Sequence, residues 1–417
     1  MCKISGGCGR AIRRLSARPV HPPSESRPID TRLTFVFAVA CGLMVANLYY
    51  AQALVGEIAP AMRLPPSIAG LVVTLTQIGY GAGLMLIVSL ADLVENRRLI
   101  LIMVGGAALG LAGVVLSQNA TSFLLFSFVT GFCSVGAQVM VPLAAHLAPD
   151  AKRGQVVGNI MAGLITGIML ARPAASALAA VAGWRAIFAV SAVLMVVLGI
   201  VLARLLPTRQ PRPGMHYGQI LASSLSLLVR TPAVRRRTAY QTLLFATFNL
   251  FWTAVPLLLA QRFGLGQIGI ALFALAGAGG ALAAPIAGRL GDRGYVRAGT
   301  AAALGVAILA MLGAGWAAAA HGLILLAVAA VLLDAATQFN QVLSQRVIYA
   351  IAPDARGRIN AIYMTCMFIG GAAGSTLASL TYAHGGWTMT ALSGAGLTGM
   401  ALLLFLTERR DDSRATV

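Results

Sequence analysis

Charge is what this chain has least of. Asp, Glu, Lys and Arg supply only 10% of its 417 residues, against about 25% in an ordinary soluble domain. Acids are the scarcest, 12 against 31 basic residues, for a net charge of +19. The five cysteines are scattered: Cys2 and Cys8 near the start, Cys41, Cys133 and Cys366 alone in apolar runs. They form neither a disulfide framework nor a pair at metal-ligand spacing. The five histidines are equally dispersed. No P-loop and no G-x-S-x-G elbow occurs, which leaves ATP-driven pumping and hydrolysis without support. Gly394-Ala395-Gly396-Leu397-Thr398-Gly399 matches the dinucleotide fingerprint, but no strand precedes it. Tight helix packing explains it better, as it does Gly163-x-x-x-Gly167. No enzyme activity, cofactor or metal is expected.

Apolar residues fill the space that charge leaves. They make up 58% of the chain, and the mean hydropathy is +0.83. At about 20 residues per transmembrane helix, that is roughly twelve spans. A soluble protein would lack the polar groups to cover so much apolar surface. The chain is therefore read as an all-α integral membrane protein, with the lipid bilayer as its principal partner.

Residues 1–32 form a polar, Arg-rich segment with no apolar h-region, which argues against a cleaved secretory signal. An organelle transit peptide shares that composition; a cytoplasmic tail is the preferred reading. Six apolar runs follow at 33–54, 67–90, 98–117, 121–146, 155–180 and 184–206. Six more occupy 238–261, 267–289, 297–318, 322–346, 359–381 and 387–406, leaving a C-terminal tail at 407–417. The only long break, 207–237, reads as a cytoplasmic linker in which Tyr217, Leu221, Leu225 and Leu228 recur at helical spacing.

Threading these runs through a bilayer sorts the basic residues. With both termini on one side, that side receives 27 of the 31, while Arg63, Arg185 and Arg262 face the other and Arg172 lies inside a span. Cytoplasmic loops concentrate Lys and Arg, so both termini are placed in the cytoplasm. The same rule accounts for the +19 with no nucleic acid involved.

The two sets of six repeat each other. Asn47-Leu48-Tyr49-Tyr50 recurs as Asn249-Leu250-Phe251-Trp252, and Leu90-Ala91-Asp92 as Leu290-Gly291-Asp292. Ala148-Pro149-Asp150-Ala151 recurs as Ala352-Pro353-Asp354-Ala355, and Gly183-Trp184 as Gly386-Trp387. The offsets stay between 200 and 204. A duplicated six-helix unit, 33–206 and 238–406, with its halves joined by a linker is a transporter layout.

At these residues the chain resembles the major facilitator superfamily over about 33–406. The family signature G-x-L-x-D-R-x-G-R-[RK] is largely kept at Gly288-Arg289-Leu290-Gly291-Asp292-Arg293-Gly294. The first copy, Val88-Ser89-Leu90-Ala91-Asp92-Leu93-Val94-Glu95-Asn96-Arg97-Arg98, keeps the aspartate and the basic end. The segment Ala46-Asn47-Leu48-Tyr49-Tyr50-Ala51-Gln52 is similar to a bacterial branch grouped with drug–proton antiporters. The resemblance implies two pseudo-symmetric bundles with rocker-type alternating access. It also implies a cytoplasmic gate of Asp92, Arg97, Asp292 and Arg293, with Asp92 meeting the start of span 11 and Asp292 the start of span 5. Two departures stand out: Ser127 occupies the place of an arginine common in such antiporters, and span 1 has no mid-membrane acid, Glu57 falling near its wet outer end.

A charge at membrane depth is costly unless paired or hydrated, so it marks a functional site. Asp334 in span 10 and Arg172 in span 5 are the two, and Pro173 after Arg172 is expected to kink the helix. Asp334 reads either as a proton-coupling carboxylate or as a structural acid. Arg172 reads as an anion-binding or tuning cation, or as an ion-pair partner. The expected cavity wall comprises Asn47, Tyr50 and Gln52 of span 1, Gln77 and Tyr80 of span 2, with Gln338 of span 10. Span 7 adds Gln241, Phe245, Phe248, Asn249 and Trp252 along one helical face. Aromatics with a few amides suit a small amphiphilic organic solute, although amides bonded across helices would give the same pattern. The leading expectation is proton-coupled export from a bacterial cytoplasm across the inner membrane, by a monomer. Uptake symport or uniport comes second, and a non-transporting receptor is the remote alternative.

Overall fold

The computed structural model describes residues 30–91, 93–149, 152–208, 214, 216–351 and 355–408. Among them, nine helices are long and apolar enough to cross a bilayer. One, α16 (Arg356–Leu406), holds two spans joined at Gly385 and Gly386, whose backbones are not helical. Two further spans are built from broken helices, making twelve. Span 1 is α1 (Thr31–Ala46), α2 (Tyr50–Ala53) and α3 (Val55–Ala61); span 8 is α12 (Gln267–Gly277), a 3-10 turn (Ala278–Leu282) and α13 (Ala283–Asp292).

The remaining spans are α4 (Leu71–Leu90), α5 (Asn96–Leu116), α6 with α7 (Ala120–Ser134 and Gly136–Leu147), α8 (Arg153–Ala182) and α9 (Arg185–Leu205) in the first half. The second half has α11 (Pro232–Gln261), α14 (Val296–Ala319) and α15 (Leu323–Ile351). Span 7 thus begins at Pro232, inside the expected linker, because Pro is well suited to the first helical position. The helix of span 5 runs unbroken through Pro173. Between the halves, α10 (Tyr217–Arg230) packs on spans 2, 7 and 11. It buries Ile220 and Ser224, whereas Leu225 of the expected apolar stripe is 53% exposed.

With no apolar drive between helices inside lipid, close approach depends on small residues. The two halves use the same device in the same place. Gly163 and Gly167 let span 5 press on span 1, where added Cβ atoms would run into Ala38 O and Gly42 O. Gly370 and Gly374 let span 11 press on span 7, where they would run into Thr242 O and Ala246 O. In the fingerprint-like run, only Gly394 is crowded, by Met311; Gly396 and Gly399 meet nothing.

Spans 2 and 11, 5 and 8, and 1 and 7 carry the contacts between halves. On the face opposite the basic one, span 2 is tied to span 11. Gly70 N donates to Ser379 Oγ, and Thr74 Oγ1 lies 3.2 Å from Ala372 O and 3.0 Å from Thr376 Oγ1. Glu57 is half-buried there rather than wet and faces Gln267 of span 8. On the basic face, a crevice of about 110 Å³ lies between spans 2, 4 and 11 beneath Ile220.

Gly374→Ala forces a side chain into backbone, a strain of about 1–3 kcal/mol, and should lower the melting temperature in detergent. Gly158→Ala, which meets open space, should leave it unchanged or raise it slightly, because Ala favours the helix by about 1 kcal/mol. Equal effects of the two variants in a thermal unfolding assay would contradict this packing.

Candidate functional site

The twelve spans bring both intramembrane charges to the seam between the halves. Arg172 and Asp334 are 5% and 8% exposed, and no direct ion pair joins them. Trp252 of span 7 bridges them instead. Its indole N–H donates to Asp334 Oδ1 at 2.7 Å, and its ring lies 4.4 Å from the Arg172 guanidinium carbon. Tyr49 and Phe248 flank the same guanidinium at 5.0 and 5.1 Å. A desolvated cation over aromatic faces gains about 2 kcal/mol, which helps hold Arg172 away from water.

An amide chain completes the seam. Arg172 Nε donates to Gln52 Oε1 at 2.9 Å, and Gln52 Nε2 donates to Asn249 Oδ1 at 2.6 Å. Gln77 Nε2 donates to the same oxygen at 2.9 Å. Asn249 Nδ2 donates to Phe245 O one helical turn back. Spans 1, 2 and 5 of the first half are thereby bonded to span 7 of the second through one carbonyl oxygen. Two buried atoms here have no protein partner, Arg172 Nη2 and Gln77 Oε1.

Local backbone explains how these side chains arrive. Span 1 tightens at Asn47–Tyr49, where Leu48 N and Tyr49 N bond three residues back, to Val45 O and Ala46 O. Such a 3-10 break turns successive side chains by more than a regular helix does. Tyr49 and Gln52 consequently face the seam, while Asn47 and Tyr50 face into the first half. Span 8 breaks at Gly277–Gly280. A Cβ on Gly280 would lie 2.5 Å from Asp334 Cβ, and one on Gly277 2.5 Å from the Trp252 ring. Only bare backbone fits against that pair.

The geometry distributes the other expected positions as follows. Asn47 accepts from Ser191 Oγ at 2.7 Å and donates to Ser134 Oγ at 3.5 Å, all within the first half. Tyr50 packs edge-on against Phe188 and lines an outer apolar groove of about 1,030 Å³ between spans 1, 5 and 6. Tyr80 accepts from Gln138 and packs on Phe368. Phe245 stacks on Phe248. Gln241 sits farther toward the basic face, bonded to Asn340 at 2.8 Å and to Thr337 O at 3.4 Å. Gln338 is half-buried, next to the Thr337 that faces Gln241.

The gate residues differ from expectation too. Asp292 pairs with Arg346 of span 10 in its own half, not with the start of span 5. Arg97 donates to Ala203 O at 2.6 Å, tying span 3 to the end of span 6. Arg293 is exposed, and Asp92 lies outside the described residues. Tyr49, Phe368 and Gly280 were not among the expected site residues. The first could be found only by allowing span 1 to break.

Asn249→Leu removes the acceptor shared by Gln52 and Gln77, leaving two buried donors unpaired at about 1–3 kcal/mol each. We expect a clear fall in melting temperature for this variant, and a smaller one for Gln77→Leu, which removes one donor. The order is read from thermal unfolding in one detergent.

Among known proteins, the Major Facilitator Superfamily profile matches residues 33–266 and 238–416. The chain is 41% identical over 379 residues to the "Uncharacterized transporter YgaY" of Escherichia coli O157:H7, covering 90% of this chain and 95% of that one. It is 34% identical over 371 residues to the "Probable transporter SCO4007" of Streptomyces coelicolor, covering 87% and 84%. In fold it is similar to a bacterial homologue of the human lysosomal transporter Spinster, inward-facing and occupied. The TM-score is 0.73 at 13% identity, over 93% of this chain and 97% of that one. A variant of the nucleoside transporter NupG gives 0.71 at 13% identity, over 89% and 98%. Sequence and fold agree: the chain is a secondary transporter, not an enzyme, and it belongs to the Major Facilitator Superfamily.

Proposed function

We propose that this transporter exports a small amphiphilic organic compound from a bacterial cytoplasm in exchange for protons, with Asp334 as the proton carrier. The observation that carries the reading is Asp334 itself: a carboxyl in the membrane core with a hydrogen bond from Trp252 and no ion-pair partner. Desolvation disfavours the charge of any unpaired carboxyl, and alternate loading and release of a proton is what coupling requires. The aromatic and amide lining of the seam suits an amphiphile. The resemblance of Ala46–Gln52 to the antiporter branch supports export.

One observation favours proton symport of an anion as a second reading. Arg172 presents a buried Nη2 without a partner. With Asp334 protonated, the seam holds a net positive charge, so an anion and a proton would bind together and travel together. The basic face is read as cytoplasmic, and the monomer as the working unit.

Everted vesicles with an acidic lumen and a lumenal pH probe separate these readings. We expect a panel of cationic, neutral and anionic organic compounds to include one that releases protons in wild type and not in Asp334→Asn. Release surviving in the variant would remove Asp334 from coupling. Lumenal acidification of right-side-out vesicles by an external anion would establish symport instead. In cysteine-free protein, an impermeant maleimide on whole cells should label a cysteine at Arg63 and leave one at Arg98 untouched. The reverse pattern would invert the topology.

A further inference from the structure

We propose that span 10 carries a one-sided proton path linking Asp334 to the basic face, through the hydroxyls of Thr337, Ser344 and Tyr363 and intervening water, with the amides of Asn340 and Gln241 as side partners. The proposal rests on Asp334 as the proton carrier and adds the route by which the proton arrives. Spacing is the first argument. Asp334, Thr337, Asn340 and Ser344 recur at steps of three and four, which places them on one face of α15. Ten residues of helix span roughly 15 Å, about half the hydrocarbon thickness. The other polar groups extend the same line. Tyr363 of span 11 lies beside Ser344. Beyond it, half-buried Tyr349 donates to Asn360 Oδ1 at 2.6 Å, and Gln345 reaches that oxygen at 3.5 Å.

Burial with missing partners is the second argument. Asn340, Ser344 and Tyr363 are fully buried, yet Asn340 Oδ1 bonds to no protein atom, and Ser344 Oγ and Tyr363 OH face each other with no further protein partner. Buried polar atoms of this kind are normally satisfied; two on the span 10 face and one facing them from span 11 leave places that bridging waters would satisfy. Each hydroxyl or intervening water takes one proton and gives up another, so a single proton moves and the side chains end unchanged. The amides of Asn340 and Gln241 hold the chain in place by hydrogen bonding, and do not ionise.

The other direction is closed. Trp252 caps Asp334, and the backbone at Gly280 covers it from span 8. Past Trp252 lies a void of only about 10 Å³, lined by Val255, Leu259, Ile270 and Phe273, with Arg172 as its one polar side chain apart from the Trp252 indole. Among the described residues, the titratable groups facing Asp334 are Arg172 from span 5 and Tyr49 from span 1. Spans 7, 8 and 10 present none. Neither Arg172 nor Tyr49 lies on the span 10 line, so the polar stripe is the route open to the proton in this conformation.

Infrared spectroscopy of the purified full-length protein in lipid nanodiscs tests this without a substrate. The carboxyl band absent from Asp334→Asn is assigned to Asp334, and its shift after a jump into heavy water times the arrival of deuterons. Ser344→Ala and Tyr363→Phe each delete one oxygen and preserve packing; Asn340→Leu removes the amide. Each should slow the shift about tenfold, the rate equivalent of roughly 1.4 kcal/mol in barrier, with the band's equilibrium titration unmoved. Phe273→Leu, on the sealed side, should leave the rate as it is. Wild-type rates in all three path variants would overturn the path while leaving proton carriage intact. Absence of any band that Asp334→Asn removes would instead remove the carrier, and the path with it.

Discussion

A charge carried into hydrocarbon has to be solvated by the protein alone, and the central architecture of this transporter answers that constraint. Arg172 comes from the first half and Asp334 from the second. The protein keeps them near each other without letting them neutralise by contact, using the indole of Trp252 as the intermediary. A direct ion pair would tie the halves together at that point. A full separation would leave two bare charges. An indole that donates to one and offers its face to the other solvates both.

Around that triad the seam is closed by amides and by glycine backbone. Asn249 takes two bonds from the first half on one oxygen. Span 8 can press on Asp334 only because Gly280 has no side chain. Contacts tie the halves on the face opposite the basic one, at Gly70–Ser379 and Thr74–Thr376. On the basic face Asp292 has turned to Arg346 in its own half. The halves also touch toward the basic face, where Thr365 Oγ1 donates to Gly81 O and α10 packs on spans of both halves.

The internal duplication extends beyond the matched sequence motifs into packing. Spans 5 and 11 use paired glycines against spans 1 and 7 respectively. The functional polarity is not duplicated. Span 10 carries Asp334 and the polar stripe below it. Its counterpart, span 4, carries no acid; Thr130 and Ser134 there bond within their own half or to their own helix. Each half contributes a different part: the first holds the cation and the amide donors, the second the acid and its surroundings.

The sequence by itself determined the solvent, the number of spans, the duplication and the two charges that lie inside spans. Those follow from composition and from the high cost of charge in lipid, which any local reading registers. It also marked Gln52, Gln77, Asn249 and Trp252, because amides and a large aromatic inside apolar runs stand out wherever they point. What they point at was decided only by tertiary structure. Asn47 and Tyr50 look like their neighbours Tyr49 and Gln52, but a 3-10 break in span 1 sends one pair into the first half and the other to the seam. Asp292 was expected at the start of span 5 and pairs here with Arg346 of its own half, a choice of partner that depends on which helix ends the assembled fold brings together.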